Sequence, residues 1–292
     1  MEPTTDIEVS IIIPNLNSPI VDNTVQSIIE QCSAIRHEII VVGLDKNRIL
    51  NQFDGIIKII ETHTPIPPGI ARNIGVKNSS GQYLIFIDSD AIAQKDFIKK
   101  HHNLLTSKEK HIIGGAVTFP KDQYLTLCDN IATFHEYMEH LPSSYKRMVP
   151  TVNMSISRRD FLDLEGFIDR PAGEDADFSF RARMNDMKVF FSPEIKVLHK
   201  PLRGNITDVI DHSYKLGSNS RIIKEFIDQN FKIPLIGFLQ LSLIVFSPFI
   251  ALYILFKIVI MENLPIKYWH TIPIIYFLKV VWSIGLSINA PR

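Results

Sequence analysis

The first third of the chain is a series of apolar runs, each cut short by turn residues. Glu8–Pro14 (EVSIIIP) is a β-branched run closed by proline and predicts a strand buried on both faces. Ile20–Gln31 follows with apolar residues at helical spacing: Val21, Val25, Ile28 and Ile29. His37–Gly43 and Ile56–Glu61 predict a second and a third strand. Gly69–Asn78 predicts a helix ended by Ser79-Ser80-Gly81, and Gln82–Ile87 a fourth strand. Strands alternating with helices in this way predict a parallel sheet covered on both faces, an α/β architecture. Past residue 110 the pattern loosens. Strands at His111–Phe119 and Thr151–Ser157 flank a mixed stretch reaching Pro150. Helices follow at Arg158–Leu164 and Glu174–Met184, then strands at Val189–Phe191 and Ile195–His199.

The pattern changes again at the C-terminus. Ile233–Phe256 holds no charged residue across 24 positions, with Lys232 and Lys257 as flanks. A helix of that length reaches about 36 Å, against a hydrocarbon core of about 30 Å. Pro248 predicts a kink, which membrane helices tolerate. Tyr268–Pro291 is a second apolar stretch, broken mainly by His270, Pro273 and Lys279. Its Tyr268, Trp269, Tyr276 and Trp282 suit a membrane interface. The two stretches predict a membrane hairpin whose second limb spans or lies in the interface. A pair of buried core helices is the alternative, against which stands the absence of a polar face. The expected domains are therefore 1–230, an α/β domain, and 231–292, a membrane segment. Arg221, Lys224 and Lys232 precede the first limb and Arg292 ends the chain, while Lys257, Glu262 and Lys267 lie in the connection. That slight bias places the large domain on the cytoplasmic face.

Composition excludes several classes. A chain of 292 residues can bury a sizeable core and carry a short appendage. Its 31 Lys and Arg balance 31 Asp and Glu, so it lacks the basic field of a nucleic-acid binder. Cys32 and Cys128 form neither a disulfide framework nor a zinc spacing, and read as buried reduced thiols. Met1–Glu8 is polar and net acidic, which predicts no cleavable secretory signal.

Asp-x-Asp occurs twice, at 88/90 and 175/177, and position distinguishes the two. Asp88-Ser89-Asp90 ends the fourth buried strand, and open α/β sheets bind ligands beyond the carboxyl ends of their strands. Such a pair can hold Mg2+ or Mn2+ while a substrate diphosphate fills other positions. A turn of solvated acids capping the next helix is the alternative.

Five motifs stand in one order: Ser10–Asn17 (SIIIPNLN), Gly69–Gly75 (GIARNIG), Gly81–Asp90 (GQYLIFIDSD), Asn153–Arg158 with Gly166-Phe167, and Gly173–Asp177 (GEDAD). In that order and spacing, over about residues 8 to 225, the chain resembles the family-2 glycosyltransferases, inverting enzymes of the GT-A fold that use nucleotide sugars. The resemblance implies a mixed, mainly parallel sheet flanked by helices, here followed by the C-terminal transmembrane hairpin. It implies Asp90 as a direct metal ligand, with Asp88 contacting the nucleotide sugar, or the metal through water. His199 matches a third metal ligand of some relatives; a satisfied strand-end histidine is the alternative. Asp175 matches the catalytic base and Glu174 the residue that orients the acceptor. Both fall in the first turn of a predicted helix, whose macrodipole favours the ionised carboxylate, so a low pKa is expected. An acidic helix start without chemistry is the alternative for Glu174, Asp175 and Asp177.

Pro14, Asn17 and Arg72 match nucleotide-contacting positions, with a surface helix charge as the alternative for Arg72. Arg203 and the run Tyr214–Arg221 would close over the diphosphate as a basic flap, or form an amphipathic helix on the membrane. Relatives usually carry an acidic pair after the second strand; here Gly43-Leu44-Asp45 stands there, with Asp45 as the substitute. Leu16 occupies a place where relatives often have tyrosine. The expected activity is a Mn2+- or Mg2+-dependent inverting transfer from a nucleotide sugar, UDP-linked, to a lipid-linked or polysaccharide acceptor. Expected partners are membrane lipid and a second copy or other membrane glycan-assembly proteins. A non-catalytic membrane scaffold of the same fold and a nucleotidyltransferase are the alternatives.

Overall fold

The computed structural model describes residues 7–31, 34–220 and 236–287, with backbone alone for 236–243. Cys32, Arg221, Lys224, Lys232 and Arg292, which carry the expectations about a second thiol and about orientation, lie outside the described residues. The chain forms two compact units. The first comprises the chain up to Thr118 and then Tyr137–Lys200; the second comprises Phe119–Glu136 and the chain from Pro201 onward. This partition differs from the expected division at residue 230, because the helices Tyr124–Phe134 and Ile206–Asn219 pack on the C-terminal helix Ile272–Ser287.

In chain order the first unit contains β1 (Val9–Leu16), α1 (Val21–Ile29), β2 (His37–Leu44), β3 (Lys58–Glu61), α2 (Pro68–Lys77) and β4 (Tyr83–Ile87). It continues with β5 (Ala91–Ala93), α3 (Phe97–Ser107) and β6 (His111–Thr118). After α4 (Tyr124–Phe134) of the second unit come β7 (Ser144–Tyr145), β8 (Asn153–Ser157), α5 (Arg158–Asp163), α6 (Glu174–Met184) and β9 (Lys188–His199). The strands form one mixed sheet in the order β3-β2-β1-β4-β8-β6-β9-β5, with β7 on β9. β3, β2, β1 and β4 run parallel. β8 then runs antiparallel to β4 and β6, and β6 is parallel to β9.

The buried strands have a simple cause. Val9, Ser10, Ile11, Ile12 and Ile13 are fully buried because β1 has a parallel neighbour on each side and α2 packed against it, as a continuous apolar run requires. The expected strands at Val189–Phe191 and Ile195–His199 are one strand, β9. Its register against β6 slips between Ser192 and Lys196, where Pro193 has no N–H to give the ladder. β5 and α3 fill stretches for which the pattern predicts no element, and α4 lies in the mixed stretch.

The second unit contains α4, α7 (Ile206–Asn219), α8 (Ile236–Phe256) and α9 (Ile272–Ser287). α9 packs on α7, α8 and α4. Ile244–Met261 and Ile266–Ser287 are long and apolar enough to cross a membrane. Pro248 sits inside α8 and cannot donate to the Ile244 carbonyl; the Ser247 hydroxyl donates to it instead, at 2.8 Å. Cys128 is buried and free, and burial pushes its thiol up to about 11.

Candidate active site

The strand order reverses between β1 and β4, and the crevice beyond the carboxyl ends at such a reversal is where open α/β sheets bind ligands. Asn17 follows β1 and Asp88 follows β4 at this point. The hydroxyls of Ser18 and Thr24 each donate to the Ser89 carbonyl at 3.0 Å, so the turn after β1 and the start of α1 hold the Asp-Ser-Asp turn.

Pairing of β5 with β9 completes an acidic-imidazole cluster. Ala91 lies opposite His199, and the Lys200 N–H donates to the Asp90 carbonyl at 2.8 Å. The His199 Nε2 thereby comes to 3.4 Å from Asp90 Oδ1. Asp88, Asp90 and His199 each offer a ligand atom, all within 4.8 Å of one another. Two carboxylates and an imidazole converging from rigid strand ends fit a divalent ion.

The second acidic motif joins this cluster through one side chain. Arg72 is only 2% exposed, and its Nη2 donates to Asp88 Oδ1 at 2.5 Å while Nη1 donates to Glu174 Oε1 at 2.8 Å. Its guanidinium lies 5.8 Å from the centre of the Phe167 ring. The start of α6 is anchored by packing: Phe178 is fully buried and meets Phe167 at 4.7 Å and Phe161 at 5.3 Å between ring centres. Phe86 of β4 joins the same group, 5.2 Å from Phe167. Asn73, next to Arg72, clasps the loop before α6 by accepting from the Phe167 N–H at 2.9 Å and donating to its carbonyl at 2.7 Å. Thus α2 ties three of the five motifs together with two adjacent residues.

Electrostatics correct one expectation. The macrodipole of α6 should keep Asp175 ionised at low pH, yet burial and then the Glu174 carboxylate push it up to about 7. The Ala176 N–H and Arg72 oppose the rise without reversing it, and Asp88 adds to it. A half-charge at a helix end is smaller than desolvation combined with two neighbouring carboxylates. For Arg72, burial opposes the charge, but Asp88 and Glu174 outweigh it and hold the guanidinium above its usual range.

Other expected site residues have local duties. Asn17 takes a left-handed backbone, φ 55°, and its Oδ1 accepts from the Lys46 N–H at 2.9 Å, tying the ends of β1 and β2. Asp45 accepts from the N–H groups of Ile49 and Leu50 at 3.1 and 2.8 Å, closing its own turn. Pro14 lies within β1, and Leu16 at its end is 60% exposed. Asp177 pairs with Arg181 at 2.7 Å, one helical turn on, which separates it from Asp175. Arg203 belongs to the second unit, where it donates to the fully buried Asp129 at 2.8 Å; His212 Nδ1 meets the same carboxylate at 2.9 Å. Of the basic run, Tyr214–Asn219 is the end of α7, and Arg221 lies outside the described residues.

Sequence reasoning did not find the bridging role of Arg72 or the clasp of Asn73. One signal was available: Gly69, Arg72 and Val76 share a helical face, and all three are buried. The Asn153–Ser157 motif turns out to brace the scaffold. Asn153 Nδ2 donates to the carbonyls of Ala116 and Ile195, while buried His101 meets Ser155 at 2.7 Å and Asn153 at 2.9 Å. Burial drives His101 down to about 3.

Comparisons with known proteins agree with this geometry. The family model described as glycosyl transferase family 2 matches residues 10–127, and that of glycosyl transferase family group 2 matches residues 83–284. Among solved structures, GalNAc-T7 with UDP, GalNAc and Mn2+ aligns at a TM-score of 0.55 and 14% identity, over 76% of this chain and 54% of that one. The chain therefore spans about half the length of GalNAc-T7. TarS 1–349 of S. aureus aligns at 0.52 and 15% identity, over 96% of this chain and 89% of that one. Its complex with UDP-GlcNAc aligns at 0.54 and 14% identity, over 96% and 90%. At such identities the likeness is one of fold. No curated protein matches by sequence. A GT-A-type sheet with two acidic motifs at its switch point, matched by a family model over more than half its length, leaves one assignment: the chain belongs to the family-2 glycosyltransferases.

Proposed function

We propose that the chain transfers a sugar, with inversion, from a UDP-linked donor to a lipid-linked or polysaccharide acceptor at a membrane, with the catalytic unit facing the cytoplasm. The observation that carries this reading is the convergence of Asp88, Asp90 and His199 within 4.8 Å, joined through Arg72 to Glu174 and its neighbour Asp175. The GalNAc-T7 and TarS structures hold UDP with Mn2+ and UDP-GlcNAc, which supports the donor class and the metal.

Asp90, His199 and Asp88 would hold the ion, with Asp90 and His199 facing each other and Asp88 shared with Arg72. A divalent ion there supplies positive charge for the departing diphosphate. Asp175 takes the proton of the acceptor hydroxyl, and a base poised near neutrality suits that task. Glu174 commits Oε1 to Arg72, which leaves Oε2 to orient the acceptor. Exposed Leu16, with Pro14, Asn17 and Asp45 around the ends of β1 and β2, forms the nucleoside side of the crevice. The apolar C-terminal helices hold the enzyme near an acceptor in the membrane.

The test is UDP release by the purified chain given UDP-GlcNAc or UDP-GalNAc and Mn2+. Asp90→Ala and Asp175→Asn should each abolish release while the circular dichroism stays unchanged. Full turnover in both variants refutes the site, and pyrophosphate release from a nucleoside triphosphate would replace the reading with nucleotidyl transfer.

A further inference from the structure

Among the described residues, the second unit leaves one apolar face uncovered. Phe246, Phe249, Leu252, Tyr253 and Phe256 of α8, with Ile260 just beyond, are each more than half exposed and recur at helical spacing. Ser247 and Ala251, on the other side of α8, are buried. α9 is a different kind of helix: of its 16 residues only Pro273 and Phe277 are exposed.

Two observations oppose a passage of this pair through a bilayer. α7 lies against α9 backbone to backbone: a Cβ on Gly217 would stand 2.0 Å from the Trp282 carbonyl oxygen, and one on Gly285 2.4 Å from that of Tyr214. The outer side of α7 carries Asp211 and Lys215, paired at 2.6 Å with side chains 56% and 66% exposed. A spanning α9 would draw that pair into hydrocarbon, where charged side chains are strongly disfavoured. The turn after α8 is also tied down. Lys257 pairs with Glu136, and Glu262 Oε2 lies 2.6 Å from His135 Nδ1. Glu136 is one peptide bond from Tyr137, where the chain leaves the second unit, so α8 cannot carry this turn across a bilayer without drawing that segment of the chain with it.

We infer that the second unit docks on one leaflet of an anionic lipid bilayer through the exposed face of α8, without crossing the membrane. Charge complementarity and side-chain chemistry select lipid as the occupant. Lys267, Trp269 and His270, all exposed, follow the apolar stripe, and a cation beside an indole is what a negatively charged headgroup layer accepts. The second limb of the expected hairpin then belongs to the bundle, and only α8 meets acyl chains. The inference rests on the membrane part of the proposed function.

The test uses the full chain in a Cys32→Ser, Cys128→Ala background, bound to phosphatidylcholine vesicles containing phosphatidylglycerol. Single cysteines are placed at the turn, Asn263→Cys, and as a reference in the catalytic unit, Glu109→Cys. A membrane-impermeant maleimide should label both to the same extent in intact vesicles, with no gain on adding detergent. Protection of Asn263→Cys until detergent is added, while Glu109→Cys reacts, overturns single-leaflet docking and leaves the membrane reading standing. Flotation of the otherwise unaltered chain tests that reading separately: failure to float removes both, and a stable lipid-free dimer that does not float assigns the face to a second copy. Phe249→Glu with Leu252→Glu should cut the floated fraction at least about tenfold while UDP release in detergent is unchanged; undiminished flotation overturns the role of the α8 face.

Discussion

Asp175→Asn should stabilise the metal-free protein above neutral pH while ending turnover. Burial, and then Glu174, raise the Asp175 carboxyl from 3.8 to about 7. At about 1.4 kcal/mol per unit, ionising it in the folded state costs roughly 4 kcal/mol. Below about pH 4 the group is protonated folded or unfolded, and the penalty vanishes. Between about 4 and 7 the folded state keeps a proton that the unfolded state has released, so this group lowers stability as pH rises; above 7 the whole penalty is present. Asparagine does not titrate and can still accept from the Ala176 N–H, which reaches Asp175 Oδ1 at 2.8 Å. The gap between variant and wild type should therefore be near zero at about pH 3 and reach a few kcal/mol by about pH 8.5. That is a rise in Tm on the order of 10 °C. Thermal unfolding in EDTA across this range measures it. Contributions common to both proteins, such as that of the buried His101, cancel. A gap that does not change with pH, or a variant less stable at pH 8.5, refutes the account of Asp175 as a buried acid poised near neutrality. In the wild type, if Asp175 is the base as proposed, kcat/KM should climb with pH through about 7 as its carboxyl loses the proton.

Asp90→Ala and His199→Ala should each weaken Mn2+ binding at least about tenfold by calorimetry, whereas Asp177→Ala, whose carboxylate faces Arg181, should not change it. Arg72→Met leaves Asp88 and Glu174 without their shared partner and should cost about 3–5 kcal/mol in urea unfolding. Arg72→Lys should recover part of that loss, because one ammonium cannot span both carboxylates. Gly285→Leu forces a side chain into the Tyr214 backbone and should make the C-terminal helices susceptible to limited proteolysis.

The sequence by itself determined the local elements and the place of the first acidic motif. β1, β2 and β4 are legible because a strand buried on both faces must be apolar throughout, and Glu174–Met184 because its acidic start and helical length are local properties. Asp88 at a strand end follows from the same local reading. Contacts between distant segments were decided only by the tertiary structure. His199 reaches Asp90 because a three-residue strand, too short to show a period, pairs with β9 and sets its register. Arg72 reaches Glu174, 102 residues away, and Asp88 together because a small-residue face of α2 lets its guanidinium enter the protein. The pKa of Asp175 escaped a helix-end argument because desolvation depends on what surrounds the group, and no neighbouring residue in the chain encodes that. For the same reason, the apolar content of α8 and α9 reads alike along the chain. Only their packing partners separate the helix that faces outward from the helix enclosed by the bundle.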